Sequence, residues 1–243
     1  MSTQSQQTSL LEIEGLTSYY GKVEVVAEVS LATDAGETVA LLGRNGAGKS
    51  ALMRSIMGLH PPDPTAGTVR LRGEDILGLA PHQIAQRGIA FAPDDRKIFP
   101  HLTVEENLIL AQRLTRGRKA DSLDSVYEAL PLVHELRARN GDGLSGGEQK
   151  LVAIARAAIQ NPALLMLDET SEGLSPVMTR HLIEALKALQ GRGITMLMAD
   201  QNLRFCAKLA ARGYLLERGR IQLAGDIDTL WNEMTSDAAK LMI

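Results

Sequence analysis

The sequence predicts an open α/β sheet with helices between its strands, and three stretches carry that prediction. The apolar run Thr38-Val39-Ala40-Leu41-Leu42 leads into Gly43-Arg44-Asn45-Gly46-Ala47-Gly48-Lys49-Ser50 and then into a helix-forming stretch from Ala51 to Gly58. Ala163-Leu164-Leu165-Met166-Leu167 and the run from Gly193 to Ala199 are continuously apolar, as strands buried on both faces must be. Helical patterns separate these runs, the order expected of strands joined by helical crossovers. With 243 residues the chain is long enough for one large domain or a domain with a subdomain.

The first stretch fits G-x-x-x-x-G-K-[ST], a phosphate-binding loop between strand and helix. Its glycines let the backbone turn tightly round a phosphate chain, where a side chain would collide. The N–H groups of the loop and helix start then face the anion, helped by the helix dipole. In that role Lys49 reaches the β- and γ-phosphates and the Ser50 hydroxyl holds Mg²⁺. A glycine-rich turn with a surface lysine is the plain alternative. The expected nucleotide-binding residues are Gly43, Asn45, Gly46, Ala47, Gly48, Lys49, Ser50 and Ala51.

Composition narrows the function classes. The chain is 44% apolar and 23% charged, enough to build a core and stay soluble. A net charge of −3 gives no basic surplus, so no nucleic-acid partner is expected. The single cysteine, Cys206, has no internal disulfide partner and lacks the companions of a metal cluster, which favours a reducing compartment. No apolar run approaches the ~20 residues of a membrane span. Residues 1–9 are rich in Ser, Thr and Gln without a targeting pattern. They are expected to form a disordered tail ahead of a single domain over 10–243.

Taken in order, Leu10 to Glu14 alternates like an exposed edge strand. Tyr19-Tyr20-Gly21 follows, in a chain with only 3% aromatics. Tyr20 could stack on a purine, against the commoner role of simple packing. Strands are expected over Val23–Ala32 and Glu37–Leu42, split by the Asp34-Ala35-Gly36 turn. His60 to Pro64 reads as a stiff loop, 68–73 as a strand, 81–87 as a short helix with Pro in its first turn, and 88–93 as a strand. Asp94-Asp95-Arg96-Lys97 is then a charged turn at a strand's carboxyl end, where such sheets keep their ligands. Thr103 to Glu106 is a capping box opening a helix to about Leu114. Arg116 to Lys119 reads as a basic, flexible link, and 121–136 as one or two amphipathic helices. The block 103–140 has no strand pattern. It reads as a helical insertion and a candidate docking surface.

Leu144-Ser145-Gly146-Gly147-Glu148-Gln149 opens the next helix. Ser145 is a natural N-cap, and Glu148 completes a second capping box. Gly146 and Gly147 leave N–H groups uncovered and make a second anion site, one without a lysine. A plain helix cap explains Ser145 and Glu148, but not two glycines that each cost about 1 kcal/mol relative to Ala. Pro162 ends this helix. The strand from Ala163 then closes on Asp168-Glu169, two acids that are costly there unless used. Alternation sends their side chains in different directions. Asp168 suits Mg²⁺ through water, and Glu169 suits a general base for a hydrolytic water; acids that merely begin a surface loop are the alternative. Ser175 and Pro176 open a helix to about Gln190. The strand from Gly193 ends at Asp200-Gln201, and 202–211 reads as a helix with Cys206 in the core. Tyr214–Glu217 and Arg220–Leu223 form a hairpin round Arg218-Gly219, and 226–243 is a helical tail carrying the only tryptophan, Trp231.

Together these motifs resemble those of the ATP-binding cassette (ABC) ATPases. Gly43–Ser50 is similar to their Walker A motif, Leu144–Gln149 to their LSGGEQ signature and Leu164–Glu169 to their Walker B, in matching order from about residue 10 to 230. The resemblance implies a P-loop NTPase core with an antiparallel β subdomain and a helical signature subdomain over about 95–160. It implies a homo- or heterodimer with two ATP molecules at its interface. Each ATP is held by the Walker motifs of one subunit and by Ser145, Gly146, Gly147 and Glu148 of the other. It puts Tyr20 on the adenine, Ser50, Asp94 and Asp168 around Mg²⁺, and Lys49, Glu169 and Gln201 in catalysis. Tyr19-Tyr20-Gly21, the run Ile98–Leu108 and Asp200-Gln201-Asn202 more closely resemble the shorter ATPase subunit of branched-chain amino-acid importers. Importers of urea, amides and aromatic acids have similar subunits. The likeness implies a cytoplasmic subunit on the inner face of the cell membrane. Its partners would be membrane permease subunits and, indirectly, a periplasmic or extracellular solute-binding protein.

Several positions depart from the family pattern. Asp94 stands where most cassettes have Gln and this subfamily often Glu, one methylene longer. At the junction of core and insertion, it is expected to couple the γ-phosphate to the partner interface. Gln201 stands where most have His, as in the subfamily itself, and donates a hydrogen bond without the charge of a protonated His. Ala51 replaces a usual Thr near the α-phosphate. Thr170 replaces the usual Pro after Glu169, which is expected to loosen the turn. The expectation is an active but slow ATPase. Two rival readings stand beside it. A soluble cassette protein of translation or DNA repair is opposed by the single cassette, the one cysteine and the negative charge. A nucleotide-binding regulatory partner with little hydrolysis is favoured by Ala51, Thr170 and Gln201, and opposed by Glu169 and Ser145.

Overall fold

Apolar patterning sorts the strands into two sheets in the computed structural model, which describes residues 9–95, 98–115 and 118–240, with side chains to residue 233. The expected tail up to residue 8, Arg96-Lys97 of the charged turn, Arg116-Gly117 of the basic link and residues 241–243 lie outside the described residues. Ser9 already belongs to the first strand.

In chain order the strands are β1 (Ser9–Tyr20), β2 (Val23–Asp34), β3 (Thr38–Leu42), β4 (Asp63–Leu71), β5 (Glu74–Asp75), β6 (Ile89–Ala92), β7 (Leu164–Asp168), β8 (Thr195–Asp200), β9 (Arg212–Glu217) and β10 (Arg220–Asp226). The helices are α1 (Lys49–Ile56), α2 (Pro81–Gln86), α3 (Val104–Arg113), α4 (Leu123–Ala129), α5 (Pro131–Glu135), α6 (Gly146–Ala158), α7 (Pro176–Gly191), α8 (Leu203–Cys206) and α9 (Ile227–Lys240). A six-stranded sheet runs β10-β9-β3-β8-β7-β6, and a four-stranded antiparallel sheet runs β2-β1-β4-β5. In the larger sheet β9, β3, β8, β7 and β6 are parallel, and β10 closes the edge antiparallel to β9.

Every residue of β3, β7 and β8 is buried, which is why they read as unbroken apolar runs. Their alternate side chains feed two cores. Leu41, Met166 and Leu197 face one shared with α1 and the antiparallel sheet, including Leu52, Ile56, Leu11 and Val26. Leu42, Leu165 and Met198 face the other, shared with α3, α6 and α7 through Leu108, Ile154 and Leu186. Helices α3 to α6 all lie between β6 and β7 in the chain. The Thr103 cap is formed as read: Thr103 Oγ1 accepts from Glu106 N–H at 3.1 Å, and Glu106 Oε2 accepts from Thr103 N–H at 2.8 Å.

The structure corrects several expectations. The first strand is not at an edge, because β1 lies between β2 and β4; its alternation reports one buried face and says nothing about neighbours. Part of the expected stiff loop is strand. Asp63 and Pro64 pair with Tyr19 and Ser18, because β1 is long enough to offer them partners. The two-residue β5 was too short to leave a pattern. The helix expected over 202–211 stops at Cys206, and the buried Leu209 and Ala210 turn the chain into β9. Cys206 is in the core. Arg118 is anchored rather than part of a loose link: its guanidinium donates to Ala85 O at 3.2 Å, to Gln160 O at 3.1 Å and to Asn161 O.

Candidate functional site

The loop after β3 owes its shape to missing side chains. A Cβ at Gly43 would sit 2.5 Å from Leu216 O, and one at Gly48, where φ is +107°, would sit 2.6 Å from Val25 O. The β9–β10 hairpin supports the loop from outside, with Gly219 N–H donating to Ala47 O at 2.8 Å. Asn45 and Gly46 are exposed at its crest, while Ala47 and Ala51 are buried beneath. Lys49 opens α1 with only 2% of its side chain exposed. Its ammonium donates to Gly43 O at 2.9 Å and Arg44 O at 3.2 Å, and lies 3.4 Å from Glu169 Oε1. Ser50 Oγ donates to Asp168 Oδ1 at 3.1 Å.

Both acids therefore converge on the loop, contrary to the divergence expected from strand alternation. The reason is backbone: Glu169 leaves β7 at φ +46°, which swings its side chain back toward Lys49. Burial pushes the Asp168 carboxyl up to about 6, with the Glu169 charge adding and the Ser50 hydroxyl opposing. Burial also raises Glu169, helped by its hydrogen bond with Glu172 and opposed by Lys49. A carboxylate raised in this way is a better proton acceptor near neutral pH.

Two clefts meet here. One of about 440 Å³ is lined by Tyr20, Gly48, Lys49, Ala51, Glu169 and Arg218, with Tyr20 39% exposed in its wall. The other, of about 520 Å³, lies between α1, β6 and α6 and brings together Ser50, Asp94 and Asp168, the three residues expected at Mg²⁺. Among the described residues no group of three or more His, Cys, Asp or Glu could hold a metal ion. The oxygen pair of Ser50 and Asp168 nevertheless suits Mg²⁺, which takes few protein ligands beside phosphate and water.

Other expected residues stand apart from this cluster. Ser145 and Glu148 cap α6 reciprocally, Ser145 N–H donating to Glu148 Oε2 at 2.6 Å and Glu148 N–H to Ser145 Oγ at 3.4 Å. Arg139 adds a 2.9 Å ion pair to Glu148. Gly147 has a packing reason that the sequence did not reveal: a Cβ there would lie 2.9 Å from Met178 Cγ on α7. Neither the signature residues nor Gln201, exposed in the bend after β8, takes part in the hydrogen bonds around Lys49 and Ser50.

Sequence reasoning missed Lys150 and the role of Asp200. Asp200 is 1% exposed; its Oδ2 accepts from Ser171 N–H at 2.9 Å and its Oδ1 from Ser171 Oγ at 2.8 Å, stapling the turn after β7 to the end of β8. An acid closing a continuous apolar run was the available signal, the same one that marked Asp168. Lys150 left no signal, because its partners come from distant segments.

Beyond the geometry, the ABC transporter family profile matches residues 26–172, from β2 through the turn after β7. The chain belongs to the ABC transporter family. The cassette is 38% identical over 213 residues to the high-affinity branched-chain amino acid transport ATP-binding protein BraG of Pseudomonas aeruginosa, covering 87% of this chain and 91% of that one. It is 35% identical over 229 residues to the lipopolysaccharide export system ATP-binding protein LptB of Haemophilus influenzae, covering 93% and 94%. Among solved structures it is similar to an ATP-binding cassette of an ABC transporter in its ADP conformation, with a TM-score of 0.74, 27% identity and coverage of 90% and 91%. It shares its fold with a dimeric cassette in a post-hydrolysis state bound to ADP and Pi, at a TM-score of 0.77, 24% identity and coverage of 89% and 98%. The cassette is thus an ATP-binding P-loop ATPase of the ABC transporter family, coupled to transport. Among the described residues no helix is long and apolar enough to cross a membrane.

Proposed function

We propose that the cassette powers the uptake of branched-chain amino acids, as an ATPase subunit on the inner face of the cell membrane. The observation that carries this reading is the likeness to BraG along nearly the whole of both chains. In this reading Lys49 binds the β- and γ-phosphates, Ser50 and Asp168 hold Mg²⁺ with Asp94 facing the same cleft, and Tyr20 stacks on the adenine. When bound there, Mg²⁺ would neutralise the charge that develops on the phosphates. Glu169 accepts a proton from the attacking water as the new O–P bond forms and ADP leaves. Gln201 donates to the γ-phosphate. Ser145, Gly146, Gly147 and Glu148 of a second cassette close the site from the other side, in a homo- or heterodimer. Permease subunits and a solute-binding protein outside the membrane complete the importer.

The likeness to LptB supports a second reading, lipopolysaccharide export, on the same catalytic site. Uptake of labelled leucine, isoleucine and valine by cells lacking the cassette separates the two. Import predicts that uptake falls to background and returns with the wild-type chain but not with Glu169→Gln. Unchanged uptake of all three, with lipopolysaccharide accumulating at the inner membrane, would replace import with export.

A further inference from the structure

Lys150 is a cation sealed into the first turns of α6, with 5% of its side chain exposed. An ammonium group has three N–H donors, and the contacts of Lys150 match that number. It donates to Glu169 O at 2.6 Å and to Glu172 O at 2.9 Å, and lies 3.2 Å from Asp94 Oδ1. None of these partners belongs to α6. Two are backbone carbonyls of the turn after β7, and the third is the acid that follows β6. One side chain therefore fastens the signature helix to two of the turns that flank the phosphate loop.

The backbone that Lys150 holds is one that needs holding. Glu169 sits at φ +46°, a left-handed conformation that residues with a Cβ adopt at a cost. Its N–H donates to Ala199 O at 2.8 Å, and its carbonyl is bonded to Lys150. The next residue gives no help, because Thr170 Oγ1 is buried without a hydrogen-bond partner among the described residues. Fixing the peptide groups on both sides of Glu169 fixes the direction of its Cα–Cβ bond. That direction sets the carboxylate 3.4 Å from Lys49 Nζ.

We propose that Lys150 is a positioning residue for ATP hydrolysis. It holds Glu169 in the left-handed conformation that aims its carboxylate at the phosphate loop, and through Asp94 it makes that aim depend on the turn after β6. The proposal rests on the reading of Glu169 as the general base. Lys150 touches no reacting atom. A displacement of the Asp94 turn or of α6 reaches the base through one ammonium group, so the site can be tuned from the helical insertion without moving the phosphate loop.

The test compares Lys150→Met, Lys150→Gln, Glu169→Gln and the Lys150→Met/Glu169→Gln pair in the full-length chain. Methionine keeps the apolar stem and removes all three donors; glutamine keeps donors without the charge. The expected result is a kcat lowered about tenfold or more by Lys150→Met and less by Lys150→Gln, with KM for ATP within about twofold of wild type. Adding Lys150→Met to Glu169→Gln should cause no further loss, because both act on one group. Hydrogen exchange at the Ser171 and Glu172 amides should speed up about tenfold in Lys150→Met while α1 and β3 stay unchanged. That readout reports the turn whether or not the isolated chain hydrolyses ATP. Wild-type exchange and wild-type kcat in Lys150→Met, with Glu169→Gln inactive, would overturn the part given to Lys150 alone. Wild-type turnover by Glu169→Gln would instead overturn the assignment of the base. Loss of folding or of ATP binding in both Lys150 variants, in step with kcat, would make Lys150 a structural residue and end the proposal.

Discussion

The turn after β3 and the turn after β7 meet at the same two side chains, Lys49 and Ser50, but are built in opposite ways. The first takes its left-handed backbone from glycine, with φ +79° at Gly46 and +107° at Gly48, and distant carbonyls pack where side chains at Gly43 and Gly48 would stand. The second puts a glutamate at φ +46° and is held by groups from other parts of the chain: Ala199 O and Lys150 at Glu169, and Asp200 at Ser171. A loop shaped by absent side chains has one conformation built into its residue types. A loop shaped by borrowed hydrogen bonds can be moved by the elements that lend them. In the proposed function, the rigid design would serve the turn that grips phosphate and the adjustable one the turn that carries the base.

The largest effect that separates the two designs is expected at Gly48. Gly48→Ala forces a Cβ against Val25 O at φ +107°. It should cost about 3 kcal/mol or more in chemical denaturation and abolish nucleotide binding. A variant of wild-type stability that still binds ATP would break the claim that the first turn is sterically specified.

Asp168 gives an effect of opposite sign. Its carboxyl is pushed up from 3.8 to about 6, so the folded chain holds this proton more tightly than the unfolded chain. Below about pH 4 both states are protonated and the contribution vanishes; as pH rises through 4 to 6 it destabilises the nucleotide-free fold, by about 1–3 kcal/mol at pH 7. Asp168→Asn should therefore stabilise the nucleotide-free chain by that amount at pH 7, with a gain that fades toward pH 4, while removing Mg²⁺-dependent turnover. Thermal melts across that range check the sign. A variant less stable than wild type at pH 7 would show that the Ser50 bond outweighs burial.

The smallest effect sharpens the contrast at Glu169 itself. Glu169→Gly gives the second turn the chemistry of the first and relieves the left-handed strain. Stability should rise by up to about 1 kcal/mol as hydrolysis is lost. A fall in stability would mean that the ion pair with Lys49 contributes more than the backbone strain costs.

Most of the fold was legible because complete burial leaves a pattern. β3, β7 and β8 are buried at every position and read as unbroken apolar runs. The glycine-built loop and the Thr103, Ser145 and Ser175 caps were legible because their chemistry is local. What was not legible depends on distant partners. Alternation in Leu10–Glu14 is the same whether a strand lies at an edge or, as β1 does, between two others. Arg118 read as part of a basic, flexible link and Lys150 went unread, because the carbonyls that bind them come from other elements. The convergence of Asp168 and Glu169 hung on one backbone angle that no residue type announces for a glutamate.

The role of Glu169 is tested most directly by steady-state ATP hydrolysis by the purified chain beside Glu169→Gln, with ATP-dependent dimerisation followed in both. If Glu169 is the general base, turnover is Mg²⁺-dependent and the substitution lowers it at least about 100-fold, with dimerisation retained. Equal turnover in the two chains would contradict that role, since the second turn would then hold its glutamate in place for something other than hydrolysis.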